Sequence, residues 1–228
     1  TSAGDTLTAA QVITVDATKT TNLGATAFAA ATDVNLSGSG AKAAVSTGAL
    51  GAATLSNNID IDVVGLKSGT TIASVDAGAG VADLDVSAST GNTTVTGGIA
   101  GGSVTVSNVD TTAALNTGTL TADTGGVTVS SANALEAVTL GAISAAKGAV
   151  DLDLTGTLGT LTLGTIVGKS VAIDVTDALG TVTAAINDGD DITTGSSFTY
   201  TGGLANATNF DIIASATSTA TTVSIDGG

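Results

Sequence analysis

The sequence predicts an all-β fold, a right-handed parallel β-helix (β-solenoid) with about 20–25 residues per coil and three short strands in each. Three observations carry that prediction. Short runs of alternating apolar and polar residues recur at nearly constant spacing. Two further apolar series recur at the same spacing between them. And the chain of 228 residues is rich in Ala, Gly, Ser and Thr while holding only three Phe, one Tyr and no Trp or Met, so its core has to be narrow, with backbones close together.

The first series reads "DVNLS" (33–37), "DIDVV" (60–64), "DLDVS" (83–87), "SVTVS" (103–107), "GVTVS" (126–130), "DLDLT" (151–155) and "AIDVT" (172–176). Side chains alternate along a strand. In "IDIDVV" (59–64), Ile59, Ile61 and Val63 therefore face inward and Asp60 and Asp62 outward. In "VADLDV" (81–86), strict alternation cannot bury Val81 together with Leu84 and Val86, so Val81 marks a corner. Val150, Leu152 and Leu154 fill the core of the later coil. The second series is "TTVTG" (93–97), "EAVTLG" (136–141), "GTLTLG" (159–164) and "GTVTAA" (180–185); the third is a lone large apolar residue, Ile99, Leu120, Ile143, Ile166 and Ile186. Coils stack ~4.8 Å apart with parallel pairing between them, and the right-handed sense follows the general crossover rule. The helix-like stretches "ATAFAAAT" (25–32) and "SANALEAV" (131–138) fit corner loops.

The repeat runs over 33–192. Residues 1–32 read as an irregular N-terminal cap or lead-in, and 193–228, with wider strand spacing and most of the aromatic residues, as an irregular C-terminal β region or cap. Solenoid ends are expected to be atypical because they expose core and strand edges. A start at Thr1 without Met reads as an excerpt or a processed product.

Five Lys, no Arg and a net charge of −15 argue against nucleic acid as a partner, which needs cations for its phosphates, and against direct insertion into an anionic membrane. No window approaches the ~18 apolar residues of a membrane span, and no signal-peptide pattern is visible. The mean hydropathy of +0.48 is too high for a disordered chain. The absence of Cys excludes a disulfide framework and fits a location outside the cell, where multivalent cations are the natural partners of so acidic a surface.

Stacking places Asp60 and Asp62 beside Asp83 and Asp85, and Asp151 and Asp153 repeat the device further along. Two unit charges ~5 Å apart repel by roughly 3 kcal/mol at an effective dielectric near 20, before screening. "SVTVS" shows that neutral residues are accepted at these places. The carboxylates therefore serve either solubility, as a solvated face that also discourages edge pairing, or a cation. Calcium is the candidate, since it takes 6–8 oxygen ligands in irregular geometry. The most compact loop of ligand type is "NDGDD": Asn187, Asp188, Asp190 and Asp191 around a Gly that permits a sharp turn. It lacks the Glu-terminated twelve-residue pattern of an EF-hand, and its residues are equally those of an ordinary turn.

The pairs Thr94/Thr96, Thr160/Thr162 and Thr181/Thr183 raise the alternative of an ice-binding solenoid, although Ala137/Thr139 and the coil carrying "AALN" (113–116) interrupt the expected double ladder. A polysaccharide-degrading β-helix is a weaker alternative. Paired carboxylates can hydrolyse glycosides, but the chain lacks His, Cys and Arg and scatters its lysines (19, 42, 67, 147, 169). The expectation is that it is not an enzyme.

Runs such as "LTADTGGVTVSSANALEAVTLG" (120–141) and "VDLDLTGTLGTLTLG" (150–164), in an acidic chain free of Cys and Met, resemble bacterial surface-layer proteins of the RTX, type I-secreted kind, and the repeats of large bacterial adhesins. The likeness spans most of the chain and lies in composition and texture. It implies an extracellular structural module on a bacterial cell surface. Such a module self-assembles with its own copies into a calcium-dependent lattice or fibre, or forms an adhesin stalk. Contact with cell-surface polysaccharide is assigned to a region outside this chain. The hallmark nonapeptide GGxGxD is absent; "IDGG" (225–228) supplies only its opening glycines. No site residue carries over from the family.

Overall fold

The computed structural model describes residues 11–24, 28–155, 157–176, 182–187, 197–202, 208–213 and 222–226; for 182–187, 198, 208–213 and 222–226 it describes the backbone alone. Among these residues every regular element is a strand, and every strand pairing is parallel, between residues roughly one coil apart. This is a β-solenoid with three faces. Among the described residues no helix is long and apolar enough to cross a membrane.

The first face stacks Gln11–Asp16, Ala31–Ser37, Ile59–Val64, Val81–Ser87, Ser103–Val109 and Val127–Ala132. It continues through the second halves of Ile143–Asp153 and Leu161–Asp174, then Ser197–Thr201 and Thr222–Asp226. The parallel pairing thus stops neither at residue 33 nor at residue 192. The second face runs through Thr93–Val95, Leu115–Asn116 and Val138–Leu140 to the start of Leu161–Asp174. The third holds Ile99–Gly101, Leu120–Ala122 and the start of Ile143–Asp153. The two long strands turn from one face to the next without losing extended backbone.

Alternation decides what is buried. Ile59, Ile61, Val63, Leu84, Val86, Val104, Val106, Val127, Val129, Val150, Leu152, Leu154, Ile173 and Val175 all point into one continuous core, and Val81 turns outward at its corner as expected. Ile99, Leu120, Ile143 and Ile166 form an unbroken internal column, with Ile186 next in register. One alignment needs correction. The rows "SVTVS" and "GVTVS" sit two residues away from where matching them to "DLDVS" puts them, because Asp83 pairs with Thr105 and Thr128 with Asp151. A slip of two preserves the face of every side chain, whereas a slip of one would invert it; the buried set survives the error.

One corner repeats an unusual backbone. Gly65, Ala88, Asp110 and Asn133 stand one above another, each with positive φ (66°, 49°, 53° and 54°). Three successive hydrogen bonds tie the column together: Gly65 N to the Ser87 carbonyl, Ala88 N to Val109 and Asp110 N to Ala132. Asn and Asp tolerate this left-handed conformation better than other side chains do, and Asn133 Nδ2 also donates to Asp110 Oδ1 at 2.8 Å.

Candidate cation-binding face

The acidic group arises where three "D-x-[DN]" rows meet on the first face. Inward, Val34, Ile61 and Leu84 stack in register; outward, the same pairing lines up Asp33, Asp60 and Asp83 in one column and Asn35, Asp62 and Asp85 in the next. Thr105 and Ser107 close the two columns on the following coil. Five carboxylates therefore occupy three adjacent coils.

Carboxylate oxygens of Asp60, Asp83 and Asp85 lie within 4.8 Å of one another. Two ligands of one calcium ion cannot be further apart than twice the metal–oxygen distance, about 4.6–5.2 Å, so the three oxygens satisfy that limit. Asp60 is exposed, while Asp62, Asp83 and Asp85 are half-buried. One oxygen of Asp83, Oδ1, is shut away from solvent and accepts no hydrogen bond from the protein. Burial, followed by the negative charges of Asp60, Asp85 and Asp33, raises the Asp62 carboxyl above its ordinary value. Burial, followed by Asp85, Asp60 and Asp62, does the same to Asp83. Every charge acting on these two is another carboxylate. At the lower edge Asn35 Nδ2 donates to Asp33 Oδ1 at 2.6 Å. Chemically, such a face can take up protons or a hard cation.

The other expected ligands lie elsewhere. Asp151 is exposed and has Thr128 and Ala172 as column neighbours. Asp153 stacks between Ser130 and Asp174, but its Oδ1 accepts from Thr155 Oγ1 at 2.8 Å and Thr155 N at 3.3 Å. Asp174 caps Thr176 in the same way. Both of these carboxylates hold a corner turn, and the Thr and Ser rows at 105–107 and 128–130 separate them from the Asp60 group. Asp188, Asp190 and Asp191 lie outside the described residues. Asn187 ends the strand Val182–Asn187, and its side chain is not described. Sequence reasoning passed over Asp33 and Asn35 as partners of the group. "DVNLS" carried the signal, but its 27-residue distance from "DIDVV" broke the period.

The Thr pairs do not build a double ladder. Thr94, Asn116, Thr139 and Thr162 share one outward column, with Ser46 and Thr71 before them. Asn116, from "AALN", interrupts the run of threonines in that column, and Ala137, two residues before Thr139, offers no hydroxyl where Thr160 does two residues before Thr162, as expected. Thr96 follows its column member by two residues whereas Thr160 precedes its own by two, so the second hydroxyls fall on opposite sides. Thr181 lies outside the described residues.

No family model, no curated protein and no solved structure matches the chain.

Proposed function

We propose that this chain is an extracellular structural module of a bacterial cell surface. In this reading it is a solenoid rod that assembles with further copies of itself into a lattice or fibre, with calcium held on its acidic face. The observation that carries the reading is the convergence of Asp60, Asp83 and Asp85 on one outer surface. An uncompensated column of carboxylates opposes the stacking that builds the fold, and a divalent cation reverses the sign of that term. The scarcity of basic and aromatic side chains also favours a structural part over a saccharide-binding cleft. Anchoring, including contact with cell-surface polysaccharide, is assigned to other regions.

Electron microscopy of the purified chain tests assembly. Ordered filaments or sheets are expected after addition of millimolar calcium and are expected to dissolve in EDTA. Single dispersed rods under both conditions would remove self-assembly from the proposal.

A further inference from the structure

The lysines are scattered in sequence, but the fold gathers three of the five on one corner. Lys19, Lys42 and Lys67 stand where successive coils turn from the first face to the second. Lys19 directly precedes Thr20, and Lys42 and Lys67 each stand two residues before Ala44 and Gly69; Thr20, Ala44 and Gly69 are register partners on consecutive coils. Thr90 and Thr112 continue the column, joined by hydrogen bonds from Thr90 N to the Leu66 carbonyl and from Thr112 N to the Ser89 carbonyl. All five residues are exposed. Among the described residues none of the three ammonium groups pairs with a carboxylate. Like charges stacked a coil apart repel one another, so the lysine column is unfavourable by itself.

Its counterpart lies on the first face. The outer column Asp33, Asp60 and Asp83 runs on into Thr105 and Thr128. Each column thus carries three charges on consecutive coils and then two threonines, and both have the rise of the coil, ~4.8 Å. Lys19 follows the rung Gln11–Asp16, whereas Asp33 belongs to the next rung. Charged and neutral rungs therefore match over all five coils when two copies lie parallel and offset by one coil. In an antiparallel arrangement only the three charged rungs meet.

We propose that the Lys19, Lys42 and Lys67 corner of one copy docks along the acidic columns on the first face of a second copy. The inference rests on the reading of the chain as a self-assembling module, and it names the contact. The acidic group holds five carboxylates, so one bound calcium ion leaves it three charges short of neutrality, the number that the lysine column supplies. Calcium and the lysines act together and do not compete. A contact between two different patches of parallel copies is heterologous and does not close on itself, so it extends a row of rods. Single exposed ion pairs contribute little, whereas a network contributes more, and three rungs in step form one.

Electron microscopy in millimolar calcium tests this on the wild type and on two variants. The first is Lys19→Gln/Lys42→Gln/Lys67→Gln. The second is Lys147→Gln/Lys169→Gln, whose lysines lie on the long strands Ile143–Asp153 and Leu161–Asp174. The expected result is ordered assemblies from the wild type and the second variant, and dispersed rods from the first. The first variant is expected to keep the wild-type response of its melting temperature to calcium, since its lysines pair with no carboxylate of the described chain. Assemblies from the first variant like those of the wild type would overturn the docking and leave self-assembly standing. Dispersed rods from the wild type would overturn both. Loss of assembly in both variants would make the effect one of net charge, and a lost calcium response in the first would place its lysines at the calcium site of their own chain; either result would overturn the inference.

Discussion

Asp83 stands between Asp60 and Thr105 on the outer column of the first face, with one carboxylate oxygen cut off from solvent. Its carboxyl and that of Asp62 are raised above the ordinary 3.8 by burial first and by neighbouring carboxylates second. A folded state with raised carboxyl values binds protons more readily than the unfolded chain. The associated stability is complete below the ordinary value and is lost as pH rises through the raised one. In EDTA the melting temperature should therefore climb as pH falls from 7 toward about 4.5. Asp83→Asn should raise it at pH 7 and flatten the climb; a variant that melts lower at pH 7 would contradict this. Ala88 is strained for a different reason. It adopts φ 49° in a column shared with Gly65, Asp110 and Asn133. A left-handed Cβ costs about 1–2 kcal/mol, against about 0.4–1 kcal/mol of chain entropy lost by introducing Gly. Ala88→Gly should therefore stabilise by roughly 0.5–1 kcal/mol in denaturant unfolding. Gly51→Ala should do the opposite, since at φ 78° an added Cβ would run into the Asp76 carbonyl and Ile59 Cδ1.

At the scale of elements, period two did most of the work. Val104, Leu152 and Ile173 could be assigned inward before any coil was placed, because alternation survives an alignment error of two residues. The register itself was less legible. "SVTVS" matches "DLDVS" equally well in two frames, and only packing against Ala82 and Leu84 selects the frame in which Val104 and Val106 stack upon them. Leu115–Asn116 was hidden because a rung of two residues carries no alternation to detect. The acidic group was legible at Asp60, Asp62, Asp83 and Asp85. Asp33 escaped because two corners of its coil, after Ser37 and after Gly51, are each two residues longer than their counterparts on the next coil. Asp153 looked equivalent to Asp62, yet Thr155, two residues later, takes its carboxylate into a turn. Leu152 is fully buried between Val129 and Ile173. Leu152→Ala should cost about 2–5 kcal/mol in urea or guanidinium unfolding. Leu152→Asp should cost more, since it buries an unpaired charge. A cost below about 1 kcal/mol for the alanine variant, within the range of surface substitutions, would mean that this rung does not carry the core.

Across the whole molecule, a net charge of −15 opposes compaction, and the opposition is greatest where five carboxylates share three coils. An ion bound only by the folded form stabilises it by mass action, about 2.7 kcal/mol at a hundredfold excess over its dissociation constant. Screening by salt also lowers the repulsion, but it does not discriminate between divalent ions. Magnesium demands a smaller, near-octahedral site and gives up its waters reluctantly, so comparing ions separates ligation from screening. The deciding measurement is the melting temperature of the wild type and of Asp60→Asn/Asp83→Asn at neutral pH in calcium, magnesium and sodium chloride of matched ionic strength. The melting temperature is expected to rise clearly in calcium and less in magnesium, to fall back in EDTA, and to lose the calcium-specific part in the double variant. Equal stabilisation by all three salts, or an undiminished calcium effect in the variant, would mean that the Asp60, Asp83 and Asp85 face is a solvated surface and not a calcium site.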